Sequence, residues 1–172
     1  MKEVVICNPL RTANGSFGGA FKTVPAYDLA KVVMQRVIAD SGIDPGTLDD
    51  VILGNIGQPS EAANIARVAA IYAGIPLHVP AYTTQRNCAS ATQAITNAYA
   101  AIQAEDGELF LVGGTENMSQ IPYVVKGARW GLKLRHAEFT DGLWEGLTDP
   151  TCNLIMGATA ENLAEQYEIS RE

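Results

Sequence analysis

The feature that most constrains this chain is a hydrophobic period that switches repeatedly along its first 115 or so residues and then fails. Val4-Val5-Ile6 is a short apolar run broken at Asn8-Pro9, which reads as a strand, and the glycine-rich stretch 14–19 reads as a loop. From Pro25 the period lengthens. Leu29, Val33 and Val37 lie four apart with Ala30 and Ile38 beside them, while Lys31, Gln35 and Arg36 take the other face, so an amphipathic helix is expected up to Ser41-Gly42. Val51-Ile52-Leu53 is a second strand, and 62–73 is a helix with Gly74 at its C-cap. Residues 80–86 read as a third strand. Residues 87–104 hold seven alanines, a helix narrow enough for other backbones to approach closely, and 108–112 is a fourth strand ended by Gly113-Gly114. A β-α-β-α-β-α-β order with short links implies right-handed crossovers, hence an α/β fold with a mainly parallel sheet.

Past Met118 the regularity is lost. Pro122, Gly127, Gly131, Gly142, Gly146 and Pro150 interrupt every run, and only 155–167 recovers helical spacing, through Met156, Ala160, Leu163 and Tyr167. Long irregular connections are uncommon in compact domains and are usually functional. Two regions are therefore expected: 1–117, an α/β core with an incomplete sheet, and 118–172, irregular with one helix. An ending directly after that helix, with no strand to complete the sheet, reads as a truncation.

Composition narrows the function. With 172 residues, 47% apolar and 18% charged, the chain can bury a core. Its net charge of -7 disfavours nucleic acid and anionic membrane as partners. The one loose basic run, Lys126, Arg129, Lys133 and Arg135, reads as a solvated face. Two uncharged stretches, 68–85 and 87–104, are broken by Gly, Pro, His or amide side chains and are not expected to span a membrane. The three cysteines, at 7, 88 and 152, form neither a disulfide framework nor a C-x-x-C metal site, and a cytoplasmic location is expected.

Cys88 stands apart. It sits where a strand gives way to a helix, at the carboxyl end of a parallel sheet, where unpaired helix amides and the helix dipole favour a thiolate and can stabilise an oxyanion. Asn87 is placed to act as N-cap, leaving Cys88 in the first turn. The competing reading is a buried small hydrophobe, the usual state of a free cysteine. Cys7, in an apolar strand, and Cys152, in an irregular stretch, are expected in packed or ordinary surroundings. His78 and His136 carry no ligand spacing, and no metal site is expected.

Around Cys88 the run Asn87-Cys88-Ala89-Ser90-Ala91-Thr92-Gln93-Ala94-Ile95 resembles the active-site segment of thiolases, N-R-x-C-[AGS]-S-G-x-Q-A-I. Arg11-Thr12 with Phe17-Gly18-Gly19-Ala20-Phe21 resembles their R-T-P-x-G-x-F-G-G opening. Gly113-Gly114-Thr115-Glu116-Asn117-Met118-Ser119 is similar to G-G-x-E-x-M-S, and Met156-Gly157-Ala158-Thr159-Ala160-Glu161-Asn162 to M-G-x-T-A-E-N. Ala13, Gln85, Ala91 and Ile155 depart from the usual residues and bear on the substrate subclass.

The resemblance implies a thiolase-like fold, with the start of a loop domain from residue 118. It implies acyl transfer between acyl-CoA molecules through a cysteine acyl-enzyme at Cys88, in the direction of Claisen condensation or of thiolytic cleavage in fatty acid metabolism. Met118, Met156 and Asn117 are implied as pocket-lining or pocket-supporting residues. No cofactor is implied beyond coenzyme A thioesters as substrates. The family's G-H-P-x-G, C-x-G-G-x-G and water-holding asparagine motifs are absent, so only the N-terminal part of a thiolase is matched, and the 172-residue chain is expected to be inactive alone. Implied partners are acyl-CoA and either a second copy in a homo-oligomer, paired through 80–86, or a C-terminal thiolase half. The alternatives are a non-catalytic truncated or split half that folds or associates without activity, and a related condensing enzyme of the ketoacyl synthase kind.

Overall fold

The computed structural model describes residues 2–134 and 136–172; Arg135 of the basic run lies outside them. The chain divides into two compact units, Met1–Gln120 and Ile121–Glu172.

The first unit is built on a parallel three-stranded sheet. Its strands are β1 (Asp50–Gly54), β2 (Ala81–Thr84) and β3 (Phe110–Gly114), in the order β2-β1-β3. Three helices alternate with them: α1 (Ala26–Ser41), α2 (Ile65–Ala73) and α3 (Ser90–Gln103). The central strand β1 is apolar on both faces, as a strand covered twice must be. Val51 and Leu53 join Ala30 and Met34 of α1 and Ala66, Ala69 and Ala70 of α2 in one core cluster, while Ile52 packs with Ala94 and Ala98 of α3 on the opposite face. All three β1 side chains are at most 4% exposed, and each such burial is worth roughly 1.5–3 kcal/mol.

The helices stop where their glycines require. Gly42 and Gly74 adopt φ of +67° and +89°, left-handed values that other residues take at a cost, and their N–H groups close the ends of α1 and α2. At the other end of α2, Asn64 caps through a side-chain oxygen that accepts the Arg67 N–H. The buried line of α1 is Ala26, Ala30 and Met34, one residue removed from the Leu29, Val33, Val37 stripe. Ala30 and Met34 of that line join the core cluster shared with α2, and α1 meets α2 where Tyr27 lies edge-on to Tyr72 at 5.7 Å.

One expected strand does not form. Residues 2–16 form no helix or strand, and Val5 and Ile6 are 71% and 70% exposed. A strand needs a neighbour, and among the described residues the sheet ends at β3. A space of about 1340 Å³ is bordered by the N-terminal segment, Val33 and Val37 of α1, Tyr99 of α3 and Leu111 of β3. The segment is tied instead at its tip, where the Lys2 N–H donates to Gln103 Oε1 (3.1 Å) and Gln103 Nε2 donates to the Lys2 carbonyl (2.7 Å).

The second unit carries more order than its sequence shows. Two short antiparallel pairs, β4 (Tyr123–Val124) with β5 (Thr140–Asp141) and β6 (Thr148–Asp149) with β7 (Leu154–Ile155), flank α4 (Gly142–Leu147). Asp141 caps α4 by accepting the Leu143 N–H. The expected last helix is α5 (Met156–Gln166). No helix among the described residues is long and apolar enough to cross a membrane.

Candidate active site

The site begins where β2 ends. After Thr84 the chain makes a tight turn in which the Ala89 N–H donates to the Arg86 carbonyl (3.0 Å) and the Ser90 N–H to the Asn87 carbonyl (3.1 Å), before α3 starts at Ser90. Asn87 is the residue that bends, with φ of +46°, a left-handed value for which asparagine is among the better-suited side chains. It is therefore not the expected cap. Ala89 takes the N-cap position, without a side-chain cap bond, and Cys88 stands just before the helix instead of inside its first turn. The first-turn amides are left without a capping side chain, a setting that favours an anion or an oxyanion beside Cys88.

Cys88 is exposed, which discards the reading of a buried small hydrophobe. Cys7 and Cys152 are exposed as well, correcting the expectation of packed surroundings for Cys7: its strand is unpaired, so nothing covers it. Cys88 differs from the other two in standing just before a helix.

Two glycines let α3 reach this position. A Cβ on Gly54 would fall 2.3 Å from the Ser90 carbonyl carbon and 2.4 Å from the Ala91 nitrogen, and one on Gly114 would fall 2.8 Å from Ala91 Cβ. The first turn of α3 thus rests on the carboxyl ends of β1 and β3, and Ala91 fills the space where a larger side chain would lift the helix.

Next to that seat, Glu116 clamps the loop leaving β1. Its carboxylate accepts from Asn55 Nδ2 (3.1 Å), the Ile56 N–H (2.9 Å) and the Gly57 N–H (3.0 Å). Asn55 is 1% exposed, and its Nδ2 also donates to the Thr115 carbonyl at 2.8 Å. Among the described residues no group of three or more His, Cys, Asp or Glu side chains is arranged to hold a metal ion.

The family profile described as thiolase, N-terminal domain, matches residues 4–172. This chain belongs to the thiolase N-terminal domain family. It is 45% identical over 173 aligned residues to a protein of Staphylococcus aureus (strain COL) named probable acetyl-CoA acyltransferase, covering 100% of this chain and 44% of that protein. A Staphylococcus epidermidis protein of the same name is 43% identical with the same coverage. Among solved structures, the Bacillus anthracis acetyl-CoA acetyltransferase superposes with a TM-score of 0.87 at 48% identity, over 91% of this chain and 40% of that one. Human mitochondrial 3-ketoacyl-CoA thiolase in complex with CoA gives 0.86 at 40% identity, again over 91% and 40%. The chain therefore spans less than half the length of these relatives, and its fold is that of the N-terminal thiolase half.

Within this thiolase domain the other expected residues fall in different places. Asn117 supports rather than faces solvent: its Nδ2 donates to the Phe21 and Val24 carbonyls, both at 2.8 Å, and its Oδ1 accepts the Ser119 N–H. Ser119 Oγ in turn accepts the Gly18 N–H at 2.9 Å, so two of the sequence motifs meet here. Met118 is exposed at the start of a short 3-10 turn. Met156 is exposed at the start of α5, in the second unit. Sequence reasoning gave no role to Asn55 or Ser90. Glu116 and Ser90 lie inside quoted motifs, but their partners lie elsewhere along the chain or in the backbone.

Proposed function

We propose that this chain is the nucleophile-bearing part of a thiolase, with Cys88 as the acyl acceptor. Its thiolate attacks the carbonyl carbon of an acyl-CoA, the carbon–sulfur bond to CoA breaks, CoA leaves as thiolate and takes up a proton, and a thioester to Cys88 remains. The acyl group then passes to a second acyl-CoA in condensation or back to CoA in the degradative direction. The observation that carries this reading is the exposed Cys88 on a left-handed turn at the start of α3, inside a chain matched along 4–172 by the thiolase profile. First-turn amides of α3 supply donors for the developing oxyanion.

Catalysis also needs a base, and His78 does not supply one. It precedes β2 while Cys88 follows it, so the strand separates them, and His78 Nε2 lies 3.0 Å from the Gly46 carbonyl. In this reading the base belongs to a part of the relatives that this chain does not match. Met118, Met156 and Asn117 are proposed as lining or supporting the acyl pocket, Asn117 by holding the 18–24 loop. The proposed partners are acyl-CoA and either a second copy, paired through 80–86 along the outer edge of β2, or a C-terminal thiolase half. A cytoplasmic location and a place in fatty acid metabolism belong to the same proposal.

Brief alkylation with limiting iodoacetamide, followed by peptide mass mapping, tests the reading. Cys88 is expected to be labelled well ahead of the equally exposed Cys7 and Cys152; equal labelling of all three removes the nucleophile.

A further inference from the structure

We infer that Ser90 is a positioning residue for Cys88: its buried hydroxyl bridges the two sides of the left-handed turn and holds the cysteine at the start of α3. The inference rests on the reading of Cys88 as the acyl acceptor. Ser90 is 4% exposed, one of the few polar side chains in the core. Its Oγ accepts the Arg86 N–H at 2.8 Å and donates to the Asn87 carbonyl at 2.6 Å. The hydroxyl therefore donates its one hydrogen bond to the residue before Cys88 and accepts one from the residue before that. Between those anchors lies Asn87, whose φ of +46° is tolerated but not preferred. A conformation of this kind persists only when its surroundings over-determine it.

The placement of Ser90 explains why a side chain can act in this way. Its backbone is pressed onto Gly54, the end of the buried central strand, so the hydroxyl projects from a fixed point. The turn is thus referenced to the sheet through one side chain. Without the hydroxyl, the Arg86 N–H loses its side-chain acceptor and the Asn87 carbonyl keeps only the Ser90 N–H, so the turn can relax toward φ values that asparagine prefers. Cys88 would then swing away from the α3 amides while remaining exposed. The exposure of Cys7 and Cys152 would be little changed.

The test uses the full chain and four measurements. In the wild type, iodoacetamide rates at Cys88, Cys7 and Cys152 are measured together, so the two other cysteines serve as references. In Ser90→Ala the Cys88 rate relative to Cys7 is expected to fall about tenfold, the order carried by one lost hydrogen bond. In Ser90→Thr, which keeps the hydroxyl, it is expected to return to within about threefold of wild type. Amide hydrogen exchange of the wild-type chain is the measurement that does not depend on any variant folding. The Arg86 N–H is expected to be protected at least about a hundredfold although its residue is exposed. An unprotected Arg86 amide, a Ser90→Ala ratio unchanged from wild type, or an equal loss in Ala and Thr overturns the positioning role. A wild-type Cys88 no faster than Cys7 and Cys152 is a different result: it overturns the nucleophile reading, and this inference with it.

Discussion

The backbone of Ser90 lies directly on Gly54: a Cβ on that glycine would come within 2.3 Å of the Ser90 carbonyl carbon. This contact joins the end of the most buried strand to the first residue of the helix that presents Cys88. Gly54→Ala is therefore expected to force the first turn of α3 off the sheet. Overpacking of this kind costs about 1–3 kcal/mol, and here the obstacle is backbone, which yields least. Urea denaturation should show the loss in midpoint, and the same variant should lose the selective alkylation of Cys88 while Cys7 is unaffected. An alanine tolerated with unchanged midpoint and selectivity would mean that the seat is looser than this geometry.

Glu116 is expected to matter for the same region from the other side. Its carboxylate takes three donors from the loop after β1, from Asn55, Ile56 and Gly57. Glu116→Gln keeps the shape, removes the charge and turns one acceptor into a donor facing backbone N–H groups. Hydrogen bonds to a charged group are each worth about 1.5–3 kcal/mol, so a loss of about 2 kcal/mol is expected in urea denaturation. Amide exchange should quicken at Ile56 and Gly57, and an exchange pattern identical to wild type would contradict the clamp.

How much of this was legible in the sequence depends on whether the deciding partner is near in the chain. α1, α2 and α3 announce themselves by period and by Gly42 and Gly74, all local signals. The strand expected at 4–6 shows the opposite case. Its residues favour a strand, but a strand exists only against a neighbour, and β3 offers none of its backbone to that segment among the described residues. Asn87 illustrates a third limit, because asparagine suits both a helix cap and a left-handed turn, and only the backbone decides between them. The Glu116 clamp joins residues some 60 positions apart, and no periodicity reports it. In the second unit, β4 to β7 are two residues each, below the length at which alternation can be read.

Asp49 should make the first unit acid-sensitive. Its carboxylate accepts the Glu108 N–H at 2.7 Å and the Leu109 N–H at 2.9 Å, and these two bonds hold it below the ordinary carboxylate value of 3.8. A carboxyl with a lowered folded-state pKa contributes stability above its unfolded value, lost as pH falls through the folded one. Melting temperature should therefore drop as pH is taken below 3.8, and Asp49→Asn should flatten that drop. At neutral pH the variant should cost about 1 kcal/mol, screening at this exposed position keeping it at the low end for charged acceptors. Asp50 runs the other way, since burial raises its pKa, with the Val51 N–H bond opposing. An acid profile unchanged in Asp49→Asn would show that the entry to β3 is not held by this carboxylate.

The 172-residue chain alone is expected to show no thiolysis of acetoacetyl-CoA above background, since His78 lies beyond the opposite end of β2 from Cys88. Turnover by the purified chain, abolished in Cys88→Ala, would contradict the proposal that the base belongs to a part of the relatives that this chain does not match.

The most direct test of the central claim is acyl transfer itself. The chain is incubated with acetyl-CoA, and the rate at which an acetyl group appears on each cysteine is followed by peptide mass mapping, with hydroxylamine release confirming a thioester. Cys88 is expected to acquire the acetyl group at least about tenfold faster than Cys7 and Cys152, although all three are exposed. Acetylation spread evenly over the three cysteines, or concentrated on Cys7 or Cys152, would contradict it.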